Sequence, residues 1–262
     1  MAQETLHFSD GAAYEQYMGR WSLVAGKVFL DWLDPPKSAR WLDVGCGTGV
    51  FTELVLDTCD PATIVAVDPS EAQVGIAKDK PVAQRADFRV ADAQSLPFPD
   101  GAFDVIASSL VINFIPDRQK ALAEMRRVAH SGSIVAGYVW DFAEDRGPSS
   151  LLRIGLSQIG VKSPSSVGSE STRLEALKSL FTEAGLTDIS TTVIDVTMSF
   201  TDFDEFWRTQ TPVYTATGKI IAALSETERA KLIEVVRSRL SAAGDGSIAY
   251  SSRAHAVKAR AP

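Results

Sequence analysis

Along the first half of the chain, short apolar runs alternate with amphipathic stretches. The run at Trp41–Asp43 stops at an acid, and Val50–Leu56 follows with helix-compatible spacing. Thr63–Val67 is β-branched and reads as a buried strand that ends at Asp68. Pro69 and Ser70 stop that run, with Ser70 as a helix N-cap candidate. Phe88–Ala91, Phe103–Ser108 and Ile134–Val139 repeat the strand pattern. Pro116-Asp117 opens a helix through Val128, whose apolar stripe is Ala121, Leu122, Met125 and Val128. Further on, Leu174–Ala184 reads as a helix closed by Gly185. Ile189–Phe200 alternates and Ile248–Val257 is another strand candidate. Strands alternating with helices predict an α/β fold built on a largely parallel sheet.

Between the first run and its helix stand Gly45, Gly47 and Gly49. Glycine accepts positive φ and lacks Cβ, so a backbone can turn sharply there and approach a ligand. The amides that open the following helix face such a ligand. A dinucleotide fingerprint would need G-x-G-x-x-G, with an acid about 20 residues on. Its third glycine would fall at Val50. The chain has G-x-G-x-G instead, with Asp43 in front. This pattern resembles motif I of the class I S-adenosylmethionine (SAM)-dependent methyltransferases. The resemblance places Asp43 beside the amino group of the cofactor's methionine part. A carboxylate suits that ammonium and would repel a pyrophosphate. The plain alternative is a glycine-rich turn that holds no ligand.

Asp68 matches the ribose-binding acid of the same family, and a loop acid or helix cap is its bland reading. The stretch DAQSLPFPDGAFDVI, from Asp92 onward, resembles the ubiquinone/menaquinone-biosynthesis-type (type 11) subgroup. There the acid at Asp92 accepts from the adenine amino group, and the amide of Ala93 faces the ring. A turn-forming Asp is the alternative. Ser108, Ser109, Leu110 and Asn113 follow the fourth strand, at the strand ends where open α/β sheets bind ligands. The resemblance gives Ser109 a backbone contact to the methionine part and lets Asn113 face the acceptor; a loop amide serves equally for Asn113. Where relatives show Pro-Gly-Gly, this chain has His130-Ser131-Gly132-Ser133, with His130 expected as a solvated helix-end residue. The resemblance covers roughly residues 14–140 and implies a Rossmann-like, seven-stranded, mostly parallel sheet. Helices cover both faces, the last strand runs antiparallel, and a helical cap is added.

Residues 1–262 are read as one domain, with a cofactor-binding core at 14–140. The segment YEQYMGRWS resembles the lid helix of this subgroup, read here at 1–33; the resemblance makes Tyr17 and Arg20, with Tyr14 next, candidates for the cofactor's carboxylate, which an Arg fork suits. A docking helix with core aromatics is the alternative. Residues 141–172 and 201–246 are similar in position to insertions that roof the substrate pocket in relatives, and the resemblance makes them substrate-cap insertions. The first holds a short helix over Leu151–Ile159. The second carries Phe203, Phe206, Trp207 and Tyr214, then a helix over Glu226–Leu240. Trp207 and Tyr214 either face an acceptor or pack as cap core.

The net charge of −7 argues against a phosphate-tracking surface, so no nucleic acid is expected. Two cysteines, Cys46 and Cys59, do not make a disulfide framework. No apolar leader follows Met1 and no run approaches ~18 apolar residues, so a cytoplasmic chain without membrane contact is expected. No metal is expected. SAM would supply an electrophilic methyl for in-line displacement, and alignment of bound reactants is worth about 7–11 kcal/mol. Asp141 and Asn113 are the catalytic candidates, Asp141 as general base; an ordinary loop acid is the alternative for Asp141, and a neutral amine or a thiolate acceptor would need no protein base. His7, His130 and His255 lie outside the motifs. The expected acceptor is a small molecule, apolar or aromatic, and a homodimer is admitted. The alternatives are a NAD(P)-type oxidoreductase and a non-catalytic SAM-binding regulatory module.

Overall fold

In a computed structural model, residues 18–163, 165–213 and 215–262 are described. Tyr14, Tyr17, His7 and Tyr214 lie outside them. Helix α1 (Arg20–Leu33) precedes β1 (Arg40–Val44), α2 (Val50–Thr58), β2 (Thr63–Asp68), α3 (Glu71–Lys78) and β3 (Asp87–Val90). Then come β4 (Phe103–Ser109), α4 (Arg118–Val128), β5 (Ala129–Trp140), α5 (Ser150–Gln158) and α6 (Leu174–Glu183). The chain closes with β6 (Thr187–Phe200), α7 (Phe203–Gln210), α8 (Ala216–Ala222), α9 (Glu226–Ser238) and β7 (Ile248–Arg260). The sheet order is β3-β2-β1-β4-β5-β7-β6, and β7 is antiparallel to both neighbours. Among the described residues no helix is long and apolar enough to cross a membrane.

The central strands are apolar on both faces because both faces are covered. Trp41, Val105 and Tyr138 point into a core shared with Phe29, Phe51 and Leu54 of α1 and α2. Leu42, Val44, Ile106 and Val139 point the other way, against Leu122, Met125, Leu177 and Phe181 of α4 and α6. Strands and helices thus stand within a few residues of the sequence reading. One departure is at 129–133. The expected turn is a bulged start of β5, where the register against β4 shifts between Phe103 and Val105. Gly132 adopts φ 83°, and its N–H donates to the carbonyl of Ala261 at 2.9 Å. His130 lies in this strand and pairs with Asp104 at 2.8 Å rather than being merely solvated.

The hairpin of β6 and β7 outruns the rest of the sheet. Trp140 pairs with Ala254, whereas the β6–β7 ladder continues to Phe200 opposite Ile248. At about 3.3 Å per residue the overhang reaches roughly 20 Å past the carboxyl end of β5. Its inner face, Val196, Met198, Phe200 and Ile248, packs against Phe203, Phe206 and Leu232 of α7 and α9. Trp207 is half-buried and stacks on Phe203, with ring centroids 6.0 Å apart. It serves as cap core here. Helix α1 is tied to the same assembly: Trp21 meets Trp140 and Tyr250 edge-on, and its indole N–H donates to Gln210 at 3.2 Å.

Candidate active site

The chemistry-bearing residues collect at the carboxyl ends of β1, β2 and β4. Three glycines shape the turn after β1, each at positive φ, and for different reasons. A Cβ on Gly45 would stand 2.5 Å from Val111, and one on Gly49 would stand 3.0 Å from the Phe88 ring. Those two are glycine because neighbours fill the space. A Cβ on Gly47 would meet only the side-chain oxygen of Gln73, at 3.9 Å. Gly47 therefore borders open room beside the turn.

Asp43 is fully buried at the end of β1. Thr52, in the first turn of α2, donates to its Oδ2 at 2.6 Å. Its Oδ1 is buried with no hydrogen-bond partner. Burial pushes this carboxyl up to about 7; the Thr52 hydrogen bond opposes the rise and the nearby charge of Asp68 adds to it. A buried carboxylate oxygen without a donor is costly. It fits a cationic or N–H-bearing ligand group. Asp68 holds the turn from the end of β2: its Oδ2 accepts from the Gly47 amide at 3.0 Å and its Oδ1 from the Ser70 amide at 2.9 Å. Its carboxyl is also raised, by burial, against those two hydrogen bonds. Ser70 caps α3 as read from sequence, accepting from the Gln73 amide at 3.4 Å.

Asp92 is exposed after β3 and bound by its own turn, accepting from the amide of Gln94 at 2.9 Å and from that side chain at 3.0 Å. Ala93 beside it is buried. Ser109 ends β4 and donates to the Tyr138 hydroxyl at 2.8 Å. Leu110 follows at φ 61°, a left-handed conformation that a branched residue adopts only where its surroundings hold it, and such strain gathers at functional sites. Its amide donates to the Tyr138 carbonyl at 2.8 Å. Asn113 is buried; its Nδ2 donates to the Val167 carbonyl at 3.0 Å and its Oδ1 has no partner.

Two expected residues are engaged differently from the expectation. Arg20 pairs with Glu205 of α7 at 3.5 Å and lies over the Phe200 ring, so its guanidinium faces the cap in this structure. Asp141 is buried just after β5; its Oδ1 accepts from the Glu144 amide at 3.0 Å, and its Oδ2 faces His255 at 3.7 Å. The other ring nitrogen of His255 lies 2.7 Å from the Thr172 carbonyl. A base role for Asp141 requires that wrapping to open. Sequence reasoning missed Thr52, Gln73, Tyr138 and His255. Thr52 and Gln73 are polar residues on otherwise apolar helix faces beside motif acids, which is a usable signal. Tyr138 and His255 reach the site only through strand pairing.

A seven-stranded sheet with one antiparallel strand, and a G-x-G-x-G turn after β1 with acids closing β1 and β2, resemble the frame of the class I SAM-dependent methyltransferases. More particularly, residues 42–137 match the family model described as "Methyltransferase domain" (Methyltransf_11). The chain is 35% identical over 137 residues to a ubiquinone/menaquinone biosynthesis C-methyltransferase of Geobacter sulfurreducens, covering 48% of this chain and 53% of that one. It is 36% identical over 106 residues to ajmaline N-methyltransferase of Rauvolfia serpentina, covering 39% and 36%. The chain thus spans about half, or less, of the length of these relatives. A Haemonchus contortus phosphoethanolamine N-methyltransferase 2 crystallised with SAM superposes with TM-score 0.58 at 18% identity, over 99% of this chain and 58% of that one. That likeness concerns the fold.

Proposed function

We propose that this chain transfers the methyl group of SAM to a small-molecule acceptor by in-line displacement. The observation that carries the reading is Asp43: a buried carboxylate with one oxygen unpartnered, beside a turn in which only Gly47 leaves room. Asp43 takes the ammonium of the methionine part. Asp68, already positioned by two backbone amides, takes the ribose hydroxyls. Asp92 and the Ala93 amide hold the adenine edge, and Ser109 borders the methionine part. Tyr17 and Arg20 stay assigned to its carboxylate end; for Arg20 this requires release from Glu205. When bound, the cofactor supplies an electrophilic methyl on a sulfonium. The chain's own task is alignment, worth about 7–11 kcal/mol when reactants are well oriented.

On the acceptor side we assign Asn113, whose Oδ1 is free to take a hydrogen bond from a nucleophile, and Asp141, which holds the 141–172 segment and serves as base once that segment lifts. The aromatic cap over the β6–β7 overhang suits an apolar or aromatic acceptor. Quinone-type methylation by the Geobacter relative and amine methylation by the Rauvolfia relative are both compatible with it. Calorimetric titration with SAM, S-adenosylhomocysteine and NADH tests the reading. Binding of the SAM pair but not NADH, weakened about a hundredfold in Asp68→Ala, is expected. Folded protein that binds neither SAM nor S-adenosylhomocysteine overturns it.

A further inference from the structure

We propose that His255 is a positioning residue: its imidazole clasps both ends of the 141–172 segment onto β7, and a second ring proton tightens the clasp and keeps Asp141 shut in. The clasp stands on geometry, and its bearing on methyl transfer rests on the SAM reading above. His255 is buried and paired on both sides, with Val139 of β5 and Val193 of β6, so two ladders fix its backbone. One ring nitrogen, Nδ1, lies 2.7 Å from the carbonyl of Thr172, the last residue of the segment. The other, Nε2, lies 3.7 Å from Oδ2 of Asp141, the first residue. Thr172 also turns back on the start of the segment. Its hydroxyl accepts from the amides of Phe142 at 3.2 Å and Ala143 at 3.1 Å. Asp141 Oδ1 accepts from the Glu144 amide at 3.0 Å. The two ends of the segment therefore meet on one side chain.

Both groups facing the ring are acceptors, a carbonyl and a carboxylate. Neutral imidazole carries one N–H, and imidazolium carries two. With one proton, the short Thr172 contact uses it, and the Nε2 lone pair faces a carboxylate across a gap longer than a hydrogen bond. With two, Nε2–H donates to Asp141, and the buried carboxylate gains the cationic partner that such groups need. The other charges nearby are engaged elsewhere. Arg253, also on β7, gives its guanidinium to Asp195 of β6 at 2.8 and 2.9 Å. That pairing holds the Asp195 carboxyl below its ordinary range, with the charges of Arg146 and His255 adding to it. Arg173, just past the segment, pairs with Glu170 at 3.0 Å and with Glu144. Carboxylates and guanidiniums ordinarily keep their charge between pH ~5.5 and ~8, whereas histidine titrates there. A fall in pH therefore shuts the turn after Asp141. A rise frees its ionised carboxylate, which is the form a general base needs.

The test is hydrogen exchange of the ligand-free chain at pH ~5.5 and ~8, corrected for the intrinsic chemical rate. It is read at the amides of residues 142–144, with β4 as the reference. Protection of 142–144 should fall on the order of tenfold from the lower to the higher pH, while β4 stays level. His255→Asn keeps an N–H near the place of Nδ1 and takes no second proton. Asp141→Asn removes the charge that draws that proton. Each should flatten the profile. A merely structural histidine would leave the wild-type profile level, and His255→Asn would lower protection equally at both pH values. Wild-type protection that stays level across the window overturns the inference, and so does His255→Asn that retains the wild-type slope. The wild-type measurement needs no variant, so the inference can be refuted even where a variant fails to fold. No cofactor enters the experiment, so its failure is separate from failure of the SAM reading, which the titration above decides.

Discussion

The two sides of the sheet's carboxyl edge are built differently. On the side proposed for the cofactor the acids are held by near neighbours in sequence. Thr52 lies nine residues from Asp43, Gly47 is 21 from Asp68, and Gln94 is two from Asp92. On the side proposed for the acceptor the polar groups are held from far away. Asn113 reaches Val167, 54 residues on; Trp21 reaches Gln210, 189 residues on; Asp141 meets His255 on the last strand. A site made of local turns is specified as soon as strand and helix form. A site made of distant partners exists only once the hairpin and cap have docked. The cofactor side should therefore tolerate damage to the cap, and the acceptor side should not tolerate it.

The largest effect that sharpens this contrast is on the turn itself. Gly45→Ala forces a Cβ to 2.5 Å from Val111 at φ 83°. Strain and overpacking together should cost about 3 kcal/mol or more, seen as a lower Tm and loss of cofactor binding. Gly47→Ala meets no neighbour closer than 3.9 Å. It should cost the fold only about 1 kcal/mol for its backbone conformation, while its cofactor affinity falls far more than its Tm implies. Equal Tm losses in the two variants would break the distinction drawn between these glycines.

Next in size is Asp68→Ala. Loss of charge-assisted hydrogen bonds to both ribose hydroxyls should weaken S-adenosylhomocysteine binding by about a hundredfold, read by calorimetry. Truncating the cap side, for example with Trp207→Ala, should leave that affinity within about twofold while lowering stability. A cap variant that abolished cofactor binding would dissolve the contrast between the two sides.

The pH dependence is a finer probe. The Asp43 carboxyl stands up to about 7, above the ordinary ~3.9 of an unfolded chain. Between those values the folded protein keeps a proton that the unfolded chain has lost. Ligand-free stability contributed by this group therefore falls as pH rises through that window. A cationic ligand group needs the ionised form, so affinity for S-adenosylhomocysteine should rise with pH toward ~7, by up to about tenfold per unit. Asp43→Asn should flatten both trends. A wild-type affinity that stays level between pH ~5.5 and ~7 would show that Asp43 is not the ammonium's partner.

Smallest is Asn113→Ala. It leaves the Val167 carbonyl without its 3.0 Å donor and should cost about 1–2 kcal/mol, with faster proteolysis within 159–168 and unchanged cofactor affinity.

The same division explains what could be read from the chain. Asp43, Asp68, Asp92 and the glycines announce themselves because their partners lie in the same strand–turn–helix unit, and α3 begins where Ser70 caps it. The β6 and β7 strands were readable by alternation, but not that they overrun β5. Neither was it legible that His255 closes on Asp141, because register depends on which residues face each other across an antiparallel ladder. Arg20 illustrates the limit. Its position on an amphipathic N-terminal helix was visible, yet Glu205, the acid that holds it here, lies on the cap.

Phe200 and Ile248 face each other on the last rung of the β6–β7 ladder, and residues 201–247 run between them. The two ends are thus about 5 Å apart, as cross-strand neighbours are. The segment joins the sheet at one rung while its helices also pack on the overhang and on α1; its loops can change length without reordering a strand, and closure entropy grows only with the logarithm of that length. The acids proposed for the methyl donor, Asp43, Asp68 and Asp92, have no such freedom, because they stand at or just past the ends of three different strands.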